Sequence, residues 1–293
     1  MRIITGLGLA FVLALAASPA ARAADGKIAV VAAENFYGDV ARQIGGDRVA
    51  VASIINNPDQ DPHLFEATPG IVRQIADARI VIFNGADYDP WMDKLLKTAP
   101  RPDRKVINAA ELVHKKVGDN PHLWYEPATM PAVAKATAAA LSAADPAGKE
   151  GYVARLATFL ASLKPIDDKI AALRAKYAGT TVTASEPVFG YMAGALGLKM
   201  RNERFQLSIQ NDTEPSARDI AAFEQDLKNR RVRVMFYNKQ ASNKIVLHLV
   251  ELARTAKVPV VGVTETAPPG LSFQDWMLGQ LNDTDKALAG PSS

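Results

Sequence analysis

Residues 28–55 read IAVVAAENFYGDVARQIGGDRVAVASII. The run 28–33 is unbroken, small and β-branched, the pattern of a strand buried on both faces. A helix is expected over 35–44, and Val49–Ile55 reads as a second strand. A strand, a helix and a strand within 28 residues imply a parallel pair joined by a crossover helix. The same order continues outward. Strands are predicted at Ile80–Phe83 and Lys105–Asn108, with helices over 69–78, 91–98 and 127–144.

A second series follows. Strands are predicted at Thr181–Ala184, 232–237 and 258–263, and helices over 188–196, 216–229, 243–255 and Phe273–Ala289. No sequence repeat is visible; what recurs is the order of elements. The predicted fold is α/β: two (β/α) lobes with parallel sheets, residues 24–144 and 180–293. Residues 145–179 would link them as one long helix. Asp145-Pro146 resembles an N-cap followed by proline at the first helical position. Apolar residues then recur at Val153, Leu156, Leu160, Leu163, Ile166, Ile170, Leu173 and Tyr177, and Gly179 supplies a stop. Such a helix of about 33 residues would be ~50 Å long. Pro165 lies inside it, so a kink, or a break into two helices, is expected there.

Residues 1–23 have the layout of an export signal. Arg2 precedes an apolar run over 6–17, and Ala21-Arg22-Ala23 has small residues at the positions a signal peptidase reads. The run is shorter than the ~20 residues of a membrane-spanning helix. The expectation is a periplasmic protein beginning near Ala24. The chain has no cysteine, which excludes a disulfide framework, a thiolate metal site, a catalytic cysteine and a lipid-anchored cysteine after the signal. Its 293 residues carry a net charge of +3, of which Arg2 and Arg22 supply two, so nucleic acid is not an expected partner.

There are four histidines. Two share a setting: Asp61-Pro62-His63-Leu64-Phe65-Glu66 and Asn120-Pro121-His122-Leu123-Trp124-Tyr125. In each, proline restricts the backbone ahead of the imidazole, and the stretch falls between a strand and a helix. Loops at the carboxyl ends of parallel strands gather along one edge, where ligands bind. His114, in Leu112-Val113-His114-Lys115-Lys116, reads as a solvated loop residue, and His248 as a packing or surface residue of a helix. In the second series, Glu186 and Glu265 each follow a strand directly, in SEPVFGY and VTETAPPG. Either could simply cap the next helix. Together with His63 and His122 they form a set of formal charge −2 that can neutralise a divalent cation in a dry cleft. No short-spacing metal motif is present, and the expectation rests on topology.

Residues 61–69, DPHLFEATP, resemble the Asp-Pro-His-x-Tyr-Glu-x-Thr-Pro motif of the cluster A-I (TroA-like) periplasmic binding proteins, zinc and manganese receptors of ABC importers. NPHLWYEP at 120–127 is similar to that family's second histidine motif, EPVFGY at 186–191 to its third ligand motif, and TEPS at 213–216 to its Glu-Pro-Ser stretch. The resemblance covers essentially the whole mature chain. It implies two lobes bridged by a long helix, with one metal held by two residues from each. Carried over by position, the ligands are His63, His122, Glu186 and Glu265. The last stands where the family normally has aspartate. Asn120 likewise replaces an aspartate, which bears on the support of His122. Asn238, in FYNKQ, lies where many relatives have an acid. The histidine-rich loop of many zinc receptors is absent, since only His114 lies between His63 and His122.

Nitrogen and oxygen donors without sulfur suit Mn(II), Fe(II) or Zn(II), and exchanging imidazole for carboxylate leans toward Mn or Fe. Bidentate carboxylates would strengthen that lean, and four monodentate ligands would favour zinc. The resemblance implies an ABC permease as partner, and a monomer is expected. The competing classes are a binding protein for a chelated metal or organic solute, and an exported metallohydrolase. H-E-x-x-H, G-x-S-x-G and phosphate-cradling glycine loops are all absent, and Glu66 reads as support for His63 rather than as a general base.

Overall fold

The computed structural model describes residues 26–58, 65–240 and 243–290. The signal-peptide expectation for 1–23 and the side chain of His63 lie outside these residues. The first lobe runs β1 (Ile28–Glu34), α1 (Asn35–Gly45), β2 (Val49–Ile55), α2 (Pro69–Asp77), β3 (Ile80–Phe83), α3 (Pro90–Thr98), β4 (Lys105–Asn108), α4 (Ala109–Leu112) and α5 (Thr129–Ala144). Its four strands are parallel, in the order β2-β1-β3-β4.

The linking segment is two helices end to end, α6 (Lys149–Ser162) and α7 (Lys164–Tyr177). The joint is Leu163, which keeps right-handed helical dihedrals of −81° and −17°. Pro165 has no N–H with which to continue the ladder. Leu163 N–H falls back on Leu160 O at 3.3 Å, and the ladder resumes from Leu163 O. The expected break is therefore present, two residues ahead of the proline. Asp145 does not cap through its side chain. Its Oδ2 instead receives Arg48 Nε at 2.6 Å and the Tyr152 hydroxyl at 2.8 Å, and Arg48 holds its carboxyl down at about 2. Gly179, at φ +84°, lets the chain turn into the second lobe at a conformation costly for other residues.

That lobe runs β5 (Thr181–Ala184), α8 (Gly190–Ala195), β6 (Lys199–Arg201), α9 (Glu203–Gln210), α10 (Ala217–Lys228), β7 (Met235–Asn238), α11 (Lys244–Thr255), β8 (Val260–Val263) and α12 (Phe273–Ala289). Its parallel order, β6-β5-β7-β8, is that of the first sheet, so the recurrence read from the sequence is a recurrence of topology. The strand predicted over 232–237 begins at Met235 and that over 258–263 at Val260; β6 and α9 were not predicted.

One apolar core is continuous through both lobes. Its centre is a run of rings. Phe36 of α1 packs on Trp124 at 4.9 Å and on Trp276 of α12 at 5.8 Å. Tyr125 packs on Phe189 at 5.2 Å, and Phe189 stacks on Phe236 of β7 at 4.5 Å. Polar contacts lock the same flank. Asn35 Nδ2 donates to Ala267 O at 2.7 Å while its Oδ1 accepts from Ala267 N–H at 3.0 Å. Asp39 accepts from the N–H of Phe273, and Gln274 reaches both Gln43 and Ser162 beside the helix joint. No helix among the described residues is long and apolar enough to cross a membrane.

Candidate metal centre

Three strand exits of the second sheet meet in one buried network. Glu186 lies two residues past β5, Asn238 ends β7, and Glu265 lies two residues past β8; all three are at most 2% exposed. Asn238 Nδ2 donates to Glu186 Oε2 at 2.7 Å and to Glu265 Oε1 at 2.6 Å. Its Oδ1 accepts from the N–H of Gln240 at 3.0 Å, which fixes the amide with its NH2 toward the carboxylates. Gln240 Oε1 in turn accepts from the N–H groups of Glu265 and Thr266, at 2.6 and 3.2 Å. The N–H of Asn238 donates to Ser185 Oγ at 3.0 Å, tying β7 to the residue before Glu186.

From the first lobe comes His122, fully buried ahead of a 3-10 turn over Leu123–Tyr125. Asn120 Oδ1 accepts from the His122 backbone N–H at 3.1 Å and lies 2.6 Å from Nδ1. Asn120 Nδ2 donates across the lobes to Pro187 O at 2.8 Å, so its oxygen is the atom facing the imidazole. An amide oxygen only accepts. A proton therefore sits on Nδ1, and in the neutral ring the lone pair is on Nε2. Gly190 makes room for this support, because a Cβ there would lie 2.8 Å from Asn120 Nδ2.

His122 Nε2 lies 3.6 Å from Glu265 Oε2. That is long for a hydrogen bond and near the roughly 3.4 Å that separates two donors on one tetrahedral ion. The hydroxyl of Tyr88 donates to the same Oε2 at 3.0 Å. Burial first, then the Glu265 charge, push the Tyr88 phenol well above its ordinary range, so it stays a donor.

Behind Tyr88 is a second acidic group. Glu34 ends β1, with both carboxyl oxygens buried and without a hydrogen-bond partner, beside Asp89. Burial pushes Asp89 up to about 7, although it accepts the N–H groups of Asn84 and Gly85 at 2.7 and 2.8 Å. Burial, and next the Asp89 charge, push Glu34 well up. Both carboxyls of the pair are thus held above their ordinary range, with burial the first cause for each.

The structure thus brings His122, Glu186 and Glu265 into one buried network, and His63 lies outside the described residues. Among the described residues no three histidine, aspartate or glutamate side chains are drawn up around a single point. Asn238 stands between the two glutamates instead. Glu66 is exposed, as is His114, on a loop at φ +56°. His248 is exposed and 3.2 Å from Glu224. Sequence reasoning left out Tyr88 and Gln240 and did not count Asn238 as a ligand. The usable signal was position: Asn238 ends a strand at the edge that also carries Glu186 and Glu265.

The model of a periplasmic protein family, zinc-uptake complex component A, matches residues 30–287. The chain belongs to this family. Family relatives include the manganese ABC transporter substrate-binding lipoprotein PsaA of Streptococcus mitis, 26% identical over 299 residues covering 95% of each chain. The iron ABC transporter substrate-binding lipoprotein MtsA of Streptococcus pyogenes serotype M1 is 23% identical over 315 residues, 99% of this chain and 98% of its own. The fold is that of the periplasmic zinc binding protein TroA from Treponema pallidum, with a TM-score of 0.76 at 18% identity over 92% of this chain and 100% of that one.

Proposed function

We propose that the protein is the exported solute-binding component of an ABC importer and carries one divalent transition-metal ion as cargo. His122, Glu186 and Glu265 supply donors from the two lobes, and His63 supplies the fourth. The observation that carries this reading is the imidazole held by Asn120 with Nε2 3.6 Å from a buried carboxylate oxygen of the other lobe. Two buried carboxylates beside a neutral imidazole form a charge of −2 that a divalent cation neutralises. Mn, Fe and Zn are the ions such donors accept, with Mn and Fe ahead on donor type alone. An export signal over 1–23, removal near Ala23, a monomeric receptor and an ABC permease partner complete the proposal. We propose no turnover: among the described residues, Asn238, Gln240 and Glu265 serve to hold one another.

Titration of the metal-stripped protein with Zn(II) and with Mn(II), read by calorimetry, should give one ion per chain. The double variant His122→Ala/Glu186→Gln should lose that binding while keeping its circular dichroism. Unchanged binding in the double variant removes this assignment. Hydrolysis of a phosphate or peptide substrate by the loaded protein would favour the hydrolase instead.

A further inference from the structure

We propose that Asn84 is a positioning residue for metal capture: it pins the carbonyl that closes a tight turn with His122 at its apex, and so sets the imidazole in place before an ion arrives. The proposal rests on the receptor reading above, with His122 as a ligand. His122 has dihedrals of −79° and 59°. These are the values of an inverse γ-turn, in which an N–H bonds the carbonyl two residues back. That bond is present, from Leu123 N–H to Pro121 O at 2.8 Å. The carbonyl has a second lone pair, and Asn84 Nδ2 donates to it, also at 2.8 Å.

Asn84 lies directly past β3 and is fully buried. Its Nδ2 also donates to Gly85 O at 3.0 Å, and two carbonyl partners, which only accept, fix the amide's orientation. Oδ1 therefore faces the Tyr37 hydroxyl, which donates to it at 2.8 Å. The backbone N–H donates to Asp89 Oδ2 at 2.7 Å, and the backbone carbonyl accepts from Ala110 N–H at 2.9 Å. Every polar group of the residue is engaged, and the bond to Pro121 carries that rigidity into the His122 loop. Asn120 belongs to the loop itself and reaches on to Pro187 of the second lobe, whereas Asn84 ties the loop to the first sheet. The tie matters because the 3-10 turn over Leu123–Tyr125 starts at the next residue. With Pro121 O held by one bent bond alone, His122 can take the helical ψ of that turn, a change of roughly 85°. The change breaks the Leu123 bond and re-aims the ring relative to Glu265 Oε2, which now lies 3.6 Å from Nε2.

Nuclear magnetic resonance of metal-free protein carrying 15N-labelled histidine reports the ring directly, at pH 8, where imidazole is neutral. The His122 ring, assigned by its absence from His122→Ala, should be a single sharp Nδ1–H tautomer in wild type, locked by Asn120. In Asn84→Ala it should broaden by exchange between tautomers, with circular dichroism retained. Zn(II) affinity, measured in parallel by calorimetry, should fall by about 10–100-fold. A structural role remote from His122 would lower stability and leave the ring signal sharp, so a wild-type signal in Asn84→Ala overturns the proposal. Wild-type affinity beside an altered ring overturns it as well. Should Asn84→Ala not fold, Tyr37→Phe keeps the amide and removes one of its anchors. It should broaden the same signal and lower affinity by a smaller factor, and a wild-type signal there overturns the proposal too. No Zn(II) uptake by wild type refutes the receptor reading itself, whichever way the ring signal moves.

Discussion

Replacing Asn35 by alanine removes the two-point lock between the lobes. Asn35 is half-buried, and Ala267, whose N–H and C=O it satisfies at 3.0 and 2.7 Å, is 4% exposed. A buried backbone group left without a partner costs about 1–3 kcal/mol, so two set a range of roughly 2–6 kcal/mol. A polar cleft of about 470 Å³, lined by Asn35, Asp39, Arg42 and Ala267, adjoins the lock. Water entering from it can replace one of the lost bonds, which lowers the expectation to about 2–3 kcal/mol. At roughly 2–4 °C per kcal/mol for a chain of this size, the melting temperature of the metal-free variant should fall by about 5–10 °C. Ala267 lies two residues beyond Glu265, so metal affinity should fall as well, by up to about tenfold, because the loop must be redocked on binding. Thermal unfolding followed by circular dichroism gives the first number and calorimetric titration the second. A melting temperature within 1 °C of wild type, with unchanged affinity, would refute the claim that this amide holds the Glu265 loop in place.

Further expectations follow from the site and its surroundings. Glu34 and Asp89 bind protons more tightly folded than unfolded, so their contribution to stability is greatest below about pH 4 and is lost as pH rises toward about 7. Glu34→Gln should flatten that decline, measured by urea unfolding of metal-free protein at pH 5, 6, 7 and 8; an unchanged slope contradicts the raised pair. Gly190→Ala should press on Asn120 Nδ2 and weaken metal binding by about 10–100-fold, read by competition with a chelating dye. Metal affinity should fall as the medium is acidified below about pH 6, because protons compete for the lone pair on His122, and a pH-independent constant between 5 and 7 argues against imidazole ligation. Trp124 lies 5.3 Å from His122, edge to face, so metal addition should change tryptophan emission in wild type and far less in Trp124→Phe.

The strands that form the sheet centres were legible because burial on both faces leaves runs such as IVIF and IAVVAA with no polar interruption. β6 was not, since Lys-Met-Arg offers one apolar residue in three at a sheet edge. The strand predicted over 258–263 starts late because Pro259 has no N–H to give to a ladder, while its carbonyl still accepts from Met235. Glu186 and Glu265 were picked out as candidates by their place just past strands, and the structure puts them in one buried network. His122 was picked out through its proline, and the orientation of its ring became legible only with the geometry of Asn120. Tyr88 and Gln240 could not have been found, because a phenol and an amide in loops carry no mark of their use until the fold sets them beside a carboxylate.

The break at Leu163 gives the linking segment a mechanical meaning that a single rod would lack. The two halves pack differently: α6 lies against α5 and α1, and α7 against α12. A change of angle at the Leu163 peptide unit would turn α7 and α12 relative to α5 and α1, against the contacts of Gln274 with Gln43 and Ser162. The 14 residues of α7 form an arm of about 21 Å, so a turn of about 5° at that unit moves the arm's far end by about 2 Å, the length of one metal–ligand bond. A swivel too slight to alter the outline of the molecule would then shift the donors of one lobe by about a bond length.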